Sequence, residues 1–129
     1  MISRWFLRLA VVFGLIGMSM GVVMGATHDF TLSPVHAHIN LVGWVGMFLA
    51  GLFYAARPSA ESKLAVAHLI SLTLGLCLLA PGIAGARLGI EAMVPLAIAG
   101  SVVTFASMLL FVWIVFRHTG PDQFTAQTG

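Results

Sequence analysis

The sequence predicts an all-α fold, an integral membrane four-helix bundle with both termini in the cytoplasm. Three observations carry that prediction: an extreme apolar content, four apolar runs of membrane-span length, and a one-sided distribution of basic residues. Of the 129 residues, 60% are hydrophobic and 8% are charged, and the mean hydropathy is +1.04. A water-soluble domain of this size has no interior large enough to hide so much apolar surface.

The runs are Trp5 to Met24, Val35 to Ala56, Leu64 to Ala86 and Ala92 to Phe116, or spans of about 5–24, 35–56, 64–86 and 92–116. Each suffices to cross ~30 Å of hydrocarbon at ~1.5 Å per helical residue. The connections are short, so successive helices are antiparallel neighbours. Arg4, Arg8, Arg57, Lys63 and Arg117 fall on one side and Arg87 on the other. The positive-inside rule places the first group in the cytoplasm and turns the loops Ala26–Pro34 and Arg87–Glu91 outward, into a periplasm. The expected location is therefore a bacterial inner membrane. Trp5, Tyr54 and Trp113 fall near the cytoplasmic boundary, where amphipathic rings settle. Residues 1–118 read as one transmembrane domain and 119–129 as a polar cytoplasmic tail. Met1 to Ala26 also has the outline of a signal peptide, with arginines, an apolar core and small residues at its end. Its apolar part is long for one, which favours a retained helix.

The composition excludes several function classes. Cys77 is the single cysteine, so neither an internal disulfide nor a zinc-finger framework is possible; within its apolar run it reads as a small buried residue. The pI near 9.3 arises from few charges, and the chain has almost no hydrophilic surface for nucleic acid. Lipid is the expected surroundings.

The second span opens on His36-Ala37-His38-Ile39-Asn40. Ionisable groups within membrane helices are rare and tend to mark functional sites. At helical spacing His36, Asn40, Gly43, Met47, Ala50, Gly51 and Tyr54 share one face, polar or small at several levels, which suits close contact with another helix. His38 belongs to a different, otherwise apolar face. On a regular helix the two histidines point about 160° apart, so two ligands, one on each side, fit better than one small ion. Pro34 suits a first helical turn, and Ser33 suits its cap. The simpler alternative is that both imidazoles sit at headgroup level and bond water or Asn40.

The sequence Pro34-Val35-His36-Ala37-His38, followed by Gly43-Trp44 and Gly51-Leu52-Phe53-Tyr54, resembles one helix of the haem–copper oxidase catalytic subunit. That superfamily includes the terminal oxidases and the bacterial nitric oxide reductases. The resemblance is confined to residues 34–54. It implies that His36 and His38 are axial haem ligands, one for a low-spin and one for a high-spin haem, on a helix running from periplasm to cytoplasm. The family's copper-holding histidines, its histidine–proline–glutamate segment, its cross-linking tyrosine and its proton-channel carboxylates have no counterpart here. One copy therefore lacks a full oxygen-reducing site. The family's larger subunit resembles three quasi-equivalent arcs of four helices, with ligands on the second helix of an arc. The present chain matches one arc, so a homo-oligomer, a trimer above all, is expected to close the ring.

Bis-histidine haem needs its two iron-bound nitrogens about 4 Å apart, one on each porphyrin face. His68 opens the third span at the cytoplasmic side, roughly 20 Å from His38 along the membrane normal at ~1.5 Å per residue. The two cannot share one iron. At the level of His38 the other candidates are His28, Met20, Met24 and Met93, since thioethers ligate haem iron and Cu(I). A histidine from a neighbouring copy satisfies the same geometry. His68 is expected to point into the bundle, either bonded to a carbonyl or water or as a second haem or quinone contact. Pro81-Gly82 predicts a bend in the third helix, and His118 a solvated tail residue.

Three functions follow. The first is a b-type membrane cytochrome holding haem b through His36 and His38, with Asn40, Gly43 and His68 as further cofactor contacts, for electron transfer with a respiratory redox partner or for O2 or NO binding. The second is a copper-binding assembly factor using His28, His36, His38 and methionines. The third is a non-catalytic accessory subunit. A visible spectrum and a copper analysis separate them.

Overall fold

The computed structural model describes residues 1–120, and among them all regular structure is helical. Four helices are long and apolar enough to cross a membrane: α1 (Ile2–Thr27), α2 (Ser33–Ala56), α3 (Lys63–Arg87) and α4 (Glu91–His118, whose first turn, Glu91–Met93, is a 3-10 turn). They coincide with the four apolar runs and extend each by a few residues at most. Residues 121–129, the greater part of the expected tail, lie outside the described residues.

The helices pair as two tight hairpins, α1 with α2 and α3 with α4, which meet mainly through α3. Apolar side chains such as Val22, Ile70, Val102 and Phe116 cover the outside, as expected for a surface that faces lipid. The buried cluster (Phe6, Ala10, Met47, Ala50, Tyr54, Ala60, Ala65, Leu72 and Ile114) gathers toward one end of the bundle, called here the Tyr54 end. There Glu61 ties the α2–α3 turn to the start of α1, accepting hydrogen bonds from the Ser3 hydroxyl (2.6 Å) and amide (3.1 Å). Arg8 and Arg117 lie over the rings of Trp5 and Trp113 at 5.7 and 5.1 Å. At the opposite, His36 end, α1 stops at His28, which adopts φ 55°. Asp29 Oδ1 then accepts the Thr31 amide (2.9 Å), and Arg87 Nε donates to the Thr31 carbonyl (3.2 Å), joining the two end loops.

Several local expectations need correction. α2 is not regular: Ile39–Gly46 winds as a π-helix, and the Met47 amide reaches the Val42 carbonyl, five residues back. Eight residues of wider winding leave no distinct apolar period, so the sequence does not announce it. Ser33 is not the cap of α2 but its first residue, and its hydroxyl donates to the Phe30 carbonyl (2.8 Å). Tyr54 is not an interfacial ring; it is completely buried. Cys77 is exposed on the outer surface of α3, since a small apolar side chain costs nothing against lipid. His118 ends α4 half-buried, and its carbonyl accepts from Arg57 Nη1 at 3.4 Å.

Candidate functional site

The α1–α2 contact is built on glycines. Gly14, Gly17 and Gly21 form a groove along α1, and each receives one side chain from α2: the Trp44 ring, the Asn40 carboxamide and the His36 ring, respectively. A Cβ on Gly17 would lie 2.5 Å from the Asn40 carboxamide, and one on Gly21 would lie 3.0 Å from His36 Cε1. Small residues at such spacing let helix backbones approach closely in a bilayer. The predicted α2 face is thus the one that packs. His36 and Asn40 are half-buried, Gly43 fits against Phe13 and Leu76, and Met47, Ala50, Gly51 and Tyr54 are buried.

His36 and His38 are in the same chemical state for the same reason. His36 Nδ1 lies 2.8 Å from the Gly17 carbonyl of α1, and His38 Nδ1 lies 2.7 Å from the Pro34 carbonyl of its own helix. A carbonyl can only accept, so each Nδ1 carries the proton and donates it. In a neutral imidazole that fixes Nε2 as the lone-pair nitrogen. Metal-binding histidines are commonly held this way, with the remote N–H committed to a carbonyl or carboxylate so that tautomer and ring direction are set in advance. Asn40 Nδ2 donates to the His36 carbonyl at 2.9 Å and lies over the His36 ring, 3.3 Å from Nδ1 and 3.5 Å from Nε2. It packs the ring into the α1 groove. The donor set, two imidazoles whose Nδ1–H is committed to a carbonyl and whose Nε2 is the nitrogen left for a metal, fits haem iron.

The other candidates at this end separate. His28 is exposed in the loop, Met24 is buried, and Met93 packs against Gly85 on the other hairpin. Met20 and Met24 line an apolar groove of about 490 Å³ on α1 that also takes in Leu15, Ile16 and Leu32, and neither His36 nor His38 lines it. Among the described residues no three histidine, cysteine or carboxylate side chains gather closely enough to hold one ion.

His68 is brought into a second site at the Tyr54 end. It is 1% exposed, and its ring stacks on Phe111 (4.7 Å between centroids, 17° between planes) and tilts against Phe6 (5.0 Å). Its Nδ1 lies 3.0 Å from the Tyr54 hydroxyl. The Ser71 and Ser107 hydroxyls, 2.9 Å apart, stand 3.2 and 3.3 Å from its carbonyl and join α3 to α4. Sequence reasoning placed His68 inside the bundle but missed Tyr54, Ser107 and Phe111 as its partners. It also missed the glycine groove, although the 14–17–21 spacing of Gly14, Gly17 and Gly21 was there to be read. Beside His68 the π-helical segment leaves a cavity of about 340 Å³.

Comparison with models of known protein families, with curated proteins and with solved structures finds no match for this chain.

Proposed function

We propose that the chain is a small multi-pass membrane cytochrome of b type, holding haem b through His36 and His38. The observation that carries this reading is the shared arrangement of the two imidazoles: each donates its Nδ1 proton to a carbonyl, which leaves Nε2 as the nitrogen available to a metal. The resemblance of residues 34–54 to the ligand-bearing helix of haem–copper oxidases supports the same assignment. Asn40 and the glycine groove hold the His36 ring in place. Bound haem supplies one-electron iron chemistry, and the number of axial protein ligands decides between electron transfer and gas binding.

Two residues apart on a helix, positions 36 and 38 point about 160° from each other, so the two rings would serve different irons, with a neighbouring copy completing each coordination. Two ligands per chain and two per iron give one haem per chain in a closed homo-oligomer, with a trimer favoured. Six-coordinate iron makes electron transfer with a respiratory partner the function, with O2 or NO binding wherever one position stays open. The distribution of basic residues supports an orientation with the Tyr54 end and both termini in a bacterial cytoplasm and the His36 end at the periplasmic face of the inner membrane.

The test is spectroscopic. Purified chain from haem-supplied cells is expected to show a Soret band and a reduced α band. His36→Ala and His38→Ala are each expected to shift or remove them. Spectra indifferent to both substitutions refute the assignment, and a molar mass equal to one chain in detergent refutes the shared coordination.

A further inference from the structure

We propose that the cavity beside His68 is a binding site for a lipid-soluble carbonyl compound of the quinone class, entered from the apolar surface between Leu49 and Met108. The site is independent of the haem reading and lies at the other end of the bundle. Its volume, about 340 Å³, is that of a small-ligand pocket. The π-helical turn makes room for it: Val42 and Gly46 of that segment line one side, and Leu72, Thr104 and Phe111 line the other. Helical π segments occur frequently at functional sites.

The polar group in the cavity wall sets the ligand's chemistry. His68 Nδ1 meets the Tyr54 hydroxyl, and Nε2 has no partner among the described residues. Tyr54 is fully buried and has no other hydrogen-bond partner among those residues. If Nδ1 carried the imidazole proton, both the phenol proton and the Nε2 lone pair would be left without partners. If the phenol donates to Nδ1, one group alone is left: an N–H donor at Nε2. Buried polar groups are satisfied in the great majority of cases, so the second arrangement holds and the Nε2 proton calls for an acceptor.

A lipid acyl chain offers no acceptor. A single water would find His68 and Thr104 as partners, the minimum it needs, and would leave the rest of a 340 Å³ apolar cavity unfilled. Thr104 Oγ1 is buried and itself lacks a hydrogen-bond partner among the described residues. A neutral, flat ring bearing a carbonyl meets every requirement: apolar surface for Leu72 and Phe111, and an acceptor for Nε2–H. Leu49 and Met108 are more than half exposed at the rim, so a lipid-soluble molecule reaches the cavity without crossing water.

The experiment uses the purified full-length chain in detergent, labelled with 15N-histidine, and titrates decylubiquinone against decylbenzene, which has the same tail and no carbonyl. The expected result is saturable movement of the His68 nitrogen resonances with decylubiquinone, and at least tenfold weaker binding of decylbenzene. Ala50→Phe, which fills the cavity, and the paired change Tyr54→Phe with His68→Phe, which removes both hydrogen-bonding groups together, are each expected to weaken decylubiquinone binding at least tenfold. Equal affinity for the two probes, or decylubiquinone binding unchanged in both variants, would show a slot for acyl chains only and overturn the proposal. The haem spectrum, read on the same samples, reports separately on His36 and His38.

Discussion

Replacing Gly17 with alanine tests how the His36 site is assembled. The added Cβ would lie 2.5 Å from both terminal atoms of the Asn40 carboxamide and 2.6 Å from its Cγ, about 0.9 Å inside ordinary contact. Asn40 cannot yield freely, because its Nδ2 holds the His36 carbonyl at 2.9 Å while His36 Nδ1 holds the carbonyl of Gly17 itself. Overpacking of this kind costs ~1–3 kcal/mol. Losing one of the hydrogen bonds adds ~0.5–1.5 kcal/mol. Alanine's better helix propensity returns ~1 kcal/mol. The net expectation is a loss of about 0.5–3.5 kcal/mol. Gly25→Ala is the matched control, since a Cβ there meets nothing within 4 Å, and it is expected to be neutral or to stabilise by up to ~1 kcal/mol. The assay is unfolding of the detergent-solubilised protein by titration with sodium dodecyl sulfate. Trp44 fluorescence reports the α1–α2 contact, because its ring rests on Gly14. A Gly17→Ala protein as stable as the Gly25→Ala control would refute the claim that the groove seats the His36–Asn40 face of α2.

Three further outcomes follow from the same contacts. Tyr54→Phe leaves His68 Nδ1 buried without its partner and is expected to cost ~1–3 kcal/mol in the same assay; no change would mean that the pair contributes nothing. Gly82→Ala drives a Cβ into the backbone nitrogen and Cα of Ala97, atoms that cannot rotate away, and is expected to destabilise by about 3 kcal/mol or more through α3–α4 separation; a neutral result would mean that the hairpin is looser than described. The hydrogen bond from the Ser3 hydroxyl, helped by one from the Ser3 amide, holds the Glu61 carboxyl below its ordinary 4.5. Its contribution is therefore present above about pH 4.5 and fades as pH falls through the lower folded value. Being largely solvated, it amounts to less than ~1 kcal/mol. Glu61→Gln should flatten that part of the acid dependence, and an identical acid profile in the variant would contradict it.

The fold was readable because lipid imposes a simple code. Each apolar run had to be a helix, since no other open structure satisfies its backbone in hydrocarbon. The packing face of α2 was readable too, because His36, Asn40, Gly43 and Met47 recur at helical spacing and are polar or small. Other features had no local signature. The π winding of Ile39–Gly46 has no periodic marker, and Gly43 at its centre meets Phe13 and Leu76, from two other helices. Tyr54 looked interfacial from its place near the end of a span, yet His68, from the next helix, draws it inward. Cys77 looked buried because apolarity marks interior in water, whereas in a bilayer it marks the outside equally well. The state of the two site histidines depended on the Gly17 and Pro34 carbonyls; the first belongs to a helix that no spacing within α2 can locate.

Pyridine haemochrome analysis of the purified protein decides whether the chain holds haem. The account predicts b-type haem at one per chain, retained through size-exclusion chromatography in an assembly of several chains. A colourless protein containing no haem, isolated folded from cells well supplied with it, would contradict that account.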